Sequence, residues 1–365
     1  NFSWWLNRKD SDGSNLFEGG FLGMDNISVF DRSRDVPPGW RLEQSDATSW
    51  MAFFSLSMLR IALELSREDQ AFDGLATTFL EHFLSVAEAM ETFGTDDVSL
   101  WDEQDGFFYD VLVGPDGRSE PVRLRSLVGL LPIIAVAHAP DWITRELPDF
   151  VPRMRWLQRR RPDLTDALVT THAEGQVVTS LAPLTAARAQ ALMTRLFDEG
   201  EFLGPHGIRS LSAAYRGGVT LDVAGVSMSV AYDPGESTTN LFGGNSNWRG
   251  PVWFPINVLL IDGLRGHARA AGGSAEVEYP TGSGRTRGLG EAADDLEQRL
   301  VSLFRPDADG RRPGTPRDHP SGPLWDVHVT FAEYFDGDTG RGCGASHQTG
   351  WTALVAHLIC ARPLS

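Results

Sequence analysis

The sequence predicts an all-α fold in which helical hairpins are arranged in a ring. Two observations carry this. A helix of about fifteen to twenty residues, followed by a loop rich in Gly, Trp and Asp, recurs along the chain. No alternation of strands with helices accompanies it, which disfavours a TIM barrel or an open parallel sheet. Loops of that composition gather at one end of such a ring and make a cleft.

The first clear helix is read over 49–66, where Trp50, Phe53, Phe54, Ser57, Leu59, Ile61 and Leu65 recur near helical spacing. A second follows over 71–90, with Phe72, Leu75, Phe79, Phe83, Val86 and Met90. Further helices are expected at about 125–138, 183–199, 252–271, 289–304 and 347–361. Thr185, two residues after Pro183, and Ser346 stand where N-caps belong. Strand signal is sparse. Val219-Thr-Leu-Asp-Val and Val226-Ser-Met-Ser-Val alternate weakly within 207–232, so a small hairpin is expected there, with Gly217-Gly218 as its turn. The stretch from Gly272 to Gly290 reads as a loop or lid, and with no clean linker residues 1–365 read as a single domain.

Bulk properties narrow the function. The 365 residues are 41% hydrophobic and 22% charged, the balance of a globular chain. A net charge of -17 argues against nucleic acid and against an anionic membrane surface, both of which need a basic face. No run of eighteen apolar residues exists to span a bilayer. Two cysteines, Cys343 and Cys360, make neither a disulfide framework nor a zinc site, so a reducing, cytoplasmic setting is expected. The chain opens on Asn1-Phe-Ser-Trp-Trp-Leu-Asn-Arg, read as the remnant of an amphipathic helix in a truncated chain.

Three loop segments combine glycines, aromatics and a carboxylate or arginine, the mixture that binds and cleaves sugars. They are Glu18 to Arg32, Gly243 to Asn257, and Val329 to Gly340, the last followed by His347-Gln-Thr-Gly-Trp351. Glycosidic hydrolysis needs one protonated and one ionised carboxyl group, but carboxylates are too numerous here for their presence alone to select a pair. Trp248, Arg249 and Trp253 read either as core anchors or, beside Asn245 and Asn247, as sugar-binding groups. Asp46 reads as a helix-dipole partner or as support for an active site. His206, His319, His328 and His347 lack the spacing of a catalytic metal site. Asp10-Ser-Asp12-Gly13-Ser14-Asn15 places oxygen-bearing residues alternately around a glycine turn, as short calcium loops do, although it is not a full EF-hand.

Together these segments resemble the catalytic domain of glycoside hydrolase family 63, which includes processing α-glucosidases and mannosylglycerate hydrolases. The strongest marker is Trp248-Arg-Gly-Pro-Val-Trp253. The resemblance implies an (α/α)6 toroid and hydrolysis of an α-linked glucosyl or mannosyl bond with inversion. It implies that Asp25, in Gly23-Met-Asp25-Asn26, is the general acid, and that Glu333, in Glu333-Tyr-Phe, is the general base. Asp336 and Asp338 compete for the second role. Phe21, Asp46, Asn245, Asn247, Trp248, Arg249, Trp253, His347 and Trp351 are implied at the substrate. A calcium ion is implied on Asp10, Asp12, Ser14 and Glu43, and no organic cofactor. The chain departs from the family in having at most one helix before the acid loop, so the toroid is expected to be incomplete at its N-terminus. Either a second polypeptide supplies the missing helices or Phe2, Trp4, Trp5 and Leu6 begin an exposed apolar flank. Two rival readings are a glycoside phosphorylase on a similar toroid and a non-catalytic carbohydrate-binding or scaffolding fragment.

Overall fold

The computed structural model describes residues 15–17, 24–32, 35–93, 98–139, 142–147, 167–173, 176–238, 246–308, 310–316, 318–320 and 327–360, with isolated positions at 150, 152, 154, 156, 159 and 322. The expected flank of Phe2, Trp4, Trp5 and Leu6, the loop residues Asp10, Asp12 and Ser14, and Phe21 and Asn245 lie outside them.

Five helices of eleven residues or more are present among the described residues. Helix α1, Ser45–Ser66, and helix α2, Asp73–Glu91, form a helical hairpin. Met51, Leu56, Leu59 and Leu63 of the first bury against Phe79, Leu80, Phe83 and Leu84 of the second. The Asp69 carboxylate accepts the Ala71 N–H at 2.9 Å and closes the short link between them. Helix α3, Ala186–Leu196, starts where Thr185 accepts the Arg188 N–H at 3.3 Å, as a β-region N-cap should. It buries Ala189, Leu192, Met193 and Leu196 on one face. Helix α4, Phe254–Ala270, and helix α5, Leu289–Ser302, form a second helical pair.

Between α1 and α4 runs the tight turn Leu131–Ile134, packed on both. Two glycines of α4 admit it. A Cβ on Gly263 would fall 2.5 Å from the Ile133 carbonyl oxygen, and one on Gly266 would fall 2.4 Å from Val136 Cγ1. The next residue, His267, is buried with Nε2 3.2 Å from the same Ile133 oxygen. Burial pushes the His267 imidazole down from 6.5 to about 4. The unfolded chain therefore binds a proton there that the folded chain refuses between those values. Stability from this group is complete above pH 6.5 and is lost as pH falls toward 4. From pH 7 to pH 5 the loss is about 2 kcal/mol, and His267→Gln should remove that slope. Urea unfolding of both proteins at the two pH values checks this. Equal slopes would show that His267 does not titrate as its burial requires.

The all-α expectation is corrected. Seven sheets of two or three strands accompany the helices among the described residues, so the fold is mixed and is not plainly an (α/α)6 ring. The loops between helices are themselves paired. Arg41–Glu43, Val111–Val113 and Ser119–Pro121 form one antiparallel sheet, and Leu168–Ala173, Gln176–Leu181 and Ala137–His138 form another. Residues 125–138 are not one helix. Ser126 caps a single turn, Leu127–Leu130, which tightens at Pro132 into Leu131–Ile134 before the chain extends into the Ala137–His138 strand. Residues 272–290 are not a plain loop, because Glu276–Glu278 pairs with Thr286–Gly288. The hairpin near 207–232 exists as Val219–Val223 against Val226–Val230. It turns at Ala224-Gly225, with φ of 51° and 78°, rather than at Gly217-Gly218. The expected helix at 347–361 is two short pieces, Thr349–Thr352 and Val355–Cys360, the first preceded by Gln348 rather than capped by Ser346. No helix among the described residues is long and apolar enough to cross a membrane.

Candidate active site

The segment that carries Asp25 is fixed at both ends. Asp25–Ile27 is one turn of 3-10 helix, and the side chain of Asp25 lies outside the described atoms. Just before it, the Met24 carbonyl accepts Arg32 Nη2 at 3.3 Å. Arg32 is itself buried between two carboxylates, with Nη2 2.7 Å from Asp46 Oδ2 and Nη1 2.9 Å from Asp110 Oδ2. Asp110 Oδ1 also accepts the Ser45 N–H at 2.9 Å, so a residue from another loop caps the first turn of α1. Asp46 is wholly buried in this ion triad. The structure thus places it beneath the segment that carries Asp25, where it holds Arg32.

Just after Asp25, the Asn26 amide makes two bonds across the fold. Its Nδ2 donates to the Ser246 carbonyl at 2.5 Å, and its Oδ1 accepts the Trp248 N–H at 3.1 Å. Ser246 in turn reaches the third segment, its hydroxyl donating to Glu333 Oε1 at 3.3 Å. The other carboxylate oxygen of Glu333 accepts the Ala345 N–H at 3.0 Å. Glu333 is half-buried at the edge of a short hairpin, Tyr334–Phe335 against Gly342–Cys343. That hairpin is tied to the second segment by the reciprocal backbone bonds of Val252 and Phe335, at 2.7 and 3.0 Å. The three segments therefore converge, and one peptide, Ser246 to Trp248, bridges the other two.

The competing carboxylates have other work. Asp336 Oδ1 accepts the Asp338 and Thr339 N–H groups at 3.0 and 2.9 Å and shapes the turn. Asp338 is bound by both Arg216 Nη groups at 2.8 and 2.6 Å and by the Tyr232 hydroxyl at 3.0 Å. Although partial burial opposes it, these partners hold the Asp338 carboxyl below its ordinary range.

Aromatic rings build the floor. Trp248 and Trp253 stack in parallel, with centroids 3.8 Å apart and planes 5° apart, and Tyr334 stacks on Trp253 at 4.7 Å. Both indoles are almost fully buried, and Trp253 Nε1 donates to the Asn247 carbonyl at 2.9 Å. Asn247 is buried as well; its Nδ2 donates to the Asp233 and Gly235 carbonyls at 2.8 and 2.9 Å, and its Oδ1 accepts the Arg249 N–H at 3.0 Å. It clamps two loops together. Arg249 donates to Ser237 Oγ at 3.0 Å, and burial lowers the pKa of its guanidinium. Trp351 stands at the rim, 37% exposed, and His347 is exposed with its ring 5.6 Å from that of Phe331. A cavity of about 330 Å³ opens beside the Asp25 segment, lined by Met24, Trp50, Trp248, Pro255, Ile256, Gly350 and Trp351.

Several site residues were not legible in the sequence. Glu236 lies beside Glu333, its Oε2 accepting the Tyr334 hydroxyl at 3.0 Å and its Oε1 the Gly344 N–H at 2.9 Å. Arg32 and Ser246 fall inside segments that composition singled out, and Trp50 on a helix that periodicity showed, but no role could be read for them or for Asp110, because tertiary folding brings their site neighbours to them. Among the described residues no group of three metal-binding side chains occurs. Glu43, however, is buried at the end of its strand beside the segment that follows the Asp10 to Ser14 loop. The Gln44 N–H donates to the Phe17 carbonyl at 3.2 Å, and the Phe17 N–H to Thr48 Oγ1 at 3.2 Å. A buried carboxylate so placed fits an oxygen ligand for a hard cation.

Comparison with known proteins finds similarity to glycoside hydrolases. Residues 175–352 match the model of the mannosylglycerate hydrolase MGH1-like glycoside hydrolase domain. An uncharacterized protein of Saccharomyces cerevisiae is 44% identical over 98% of this chain and 35% of its own length. The mannosyl-oligosaccharide glucosidase of the same yeast is 21% identical over 92% of this chain and 28% of its own. The chain thus spans about a third of the length of these curated relatives. Among solved structures a sialidase aligns over 93% of this chain and 20% of its own, at 13% identity and a TM-score of 0.48. The family match and the yeast glucosidase point the same way: the chain is similar, most clearly over residues 175–352, to glycoside hydrolase domains of the family 63 kind.

Proposed function

We propose that the chain is the catalytic part of an inverting glycosidase that cleaves an α-linked glucosyl or mannosyl bond. Asp25 is the general acid and Glu333 the general base. The observation that carries this is the bridge from Asn26, next to Asp25, through Ser246 to Glu333. It brings the two carboxyl-bearing segments to one place, beside a tryptophan-lined cavity. In this reading Asp25 protonates the leaving oxygen while Glu333 takes a proton from the attacking water, on the opposite face of the sugar. Trp248, Trp351 and Trp50 offer ring surfaces to the sugar's apolar face, and Asn247, Arg249 and Trp253 shape the wall behind them. Asp336 and Asp338 are committed to a turn and to arginines, whereas among the described residues the Glu333 carboxylate is held only by Ser246 and the Ala345 N–H, which favours Glu333 over them for this role. The test is the anomer first released from an aryl α-glucoside, an aryl α-mannoside or a glycosylglycerate, followed by NMR. The β-anomer is expected from any substrate that is cut. Release of the α-anomer would rule out inversion, and no turnover of any of them would remove the glycosidase reading of this chain.

Calcium belongs to the same proposal, with Asp10, Asp12, Ser14 and Glu43 as its oxygen ligands. When bound, the ion would fasten the N-terminal loop to the strand that leads into α1, and so steady the acid segment. Chelation should lower the melting temperature by several degrees, and added calcium should restore it. An unchanged melting temperature would remove the ion from the reading.

A further inference from the structure

A second cavity, of about 440 Å³, opens between α1 and the later turns of α4. Its charged lining is Arg60 from α1, Arg265 and Arg269 from α4, and one acid, Asp262. His138 and the Ile134 to Ala137 segment form its floor. In a chain of net charge -17 such a concentration of guanidinium groups is out of character. Arg265 is already engaged, with Nη2 2.6 Å from Asp294 and 2.7 Å from Glu297. Arg60 and Arg269 have no ion-pair partner among the described residues. Both are exposed at the mouth. His138 is held in place by its Nδ1, 2.9 Å from Ser180 Oγ. Burial, and then the fields of Arg269 and Arg60, push the His138 imidazole below its ordinary pKa. Asp262 is the single carboxylate among the lining residues to set against Arg60 and Arg269, so the pocket keeps an excess of positive charge that an anion would neutralise.

We infer that this pocket binds the phosphoryl group of a small phosphate monoester, with Arg60 and Arg269 as its cationic clamp and His138 as a hydrogen-bonding partner. A phosphate dianion matches the charge of two guanidinium groups, and its oxygens suit their forked donors. The two cavities come within one helical turn of each other at Leu259 and Ile256, but the arginine clamp lies at the end away from the proposed active site. Arg269 lies thirteen residues beyond Ile256 on the same helix, about 20 Å along its axis. It is therefore a ligand site on the far end of α4, not a place from which phosphate could attack a glycosidic bond.

The experiment titrates the intact chain with inorganic phosphate, with glucose 6-phosphate and, as controls, with glycerate and with sodium chloride at matched ionic strength. Calorimetry, the melting temperature and the His138 ring resonance in NMR are followed at constant pH. Phosphate or glucose 6-phosphate should bind at millimolar concentration or better, raise the melting temperature and raise the His138 pKa. The tighter of the two identifies free phosphate or an ester as the ligand. The Arg60→Gln/Arg269→Gln variant should melt as the parent does without ligand and bind at least tenfold more weakly. Equal binding by the variant would overturn the proposal. So would equal effects of glycerate or chloride, or a His138 resonance that phosphate leaves unmoved. Because both arginines lie away from the proposed catalytic pair, none of these outcomes depends on glycosidase activity.

Discussion

Glu333→Gln is expected to lower kcat by roughly 10²–10⁴-fold, the usual contribution of a general base, while leaving KM and the melting temperature nearly unchanged. The substitution preserves shape. The amide oxygen of glutamine still accepts the Ala345 N–H, and its nitrogen can donate to the Ser246 hydroxyl that now donates to Glu333. What disappears is the ability to take a proton from water. Asp338→Asn makes the matching control, because its carboxylate is held by Arg216, Arg209 and Tyr232. That change should cost stability with a far smaller effect on kcat. Steady-state rates for the parent and the two variants, on whichever glycoside is cut, decide the assignment. A Glu333→Gln enzyme with the parent's kcat would hand the role to another carboxylate, and Glu236 is the nearest one in the hydrogen-bond network.

The second large effect is expected at Arg32. Its guanidinium is almost wholly buried between Asp46 and Asp110, with side-chain exposures of 1%, 0% and 5%. Arg32→Met keeps much of the volume and removes the only cation of the triad. Two buried carboxylates then face each other, and breaking such an arrangement costs about 3–5 kcal/mol. The pH dependence has a definite sign. Burial already raises Asp110 to about 6, against the field of Arg32. A folded-state carboxyl above its unfolded value near 3.9 means that the folded chain binds the proton more tightly. This group's contribution is thus fully present at low pH and is lost as pH rises from about 4 to 6. Without Arg32 the window should extend upward, so Arg32→Met loses more stability at pH 8 than at pH 5. Because Arg32 also holds the Met24 carbonyl, kcat should fall in the part that stays folded. Urea unfolding at the two pH values tests this. A loss below about 1 kcal/mol at pH 8 would show that the triad does not carry the acid segment.

Sequence pattern and structure part company for physical reasons. The long helices α1, α2, α4 and α5 were legible because each buries one face over several turns, and periodicity reports exactly that kind of burial. Strands of two or three residues have no period to report. Trp101–Asp102 against Phe107–Phe108, or Tyr334–Phe335 against Gly342–Cys343, exist because their partners are delivered by tertiary folding. The helix read through 125–138 failed at the place where Pro132 and the close approach to Gly263 of α4 impose a tighter path. Of the site, the glycine- and tryptophan-rich segments stood out by composition. Their supports did not, since nothing local marks Arg32 as the partner of Asp110 or Asn26 as the partner of Ser246.

The stacked indoles make the molecule its own optical instrument. Of its eleven tryptophans, Trp248 and Trp253 are 3% and 1% exposed, whereas Trp351 at the rim is 37% exposed and Trp156 is 53% exposed. Emission from the buried pair should lie to the blue, with Trp253 hidden from a water-borne quencher and Trp248 reached only from the cavity. Emission from Trp351 and Trp156 is redder and within reach. If the proposed function holds, a sugar settling over the rim should shield Trp351 and leave Trp156 bare, so the quenchable fraction of the light should fall without vanishing. The ring that frames the cavity would then announce its own occupancy, with no label attached.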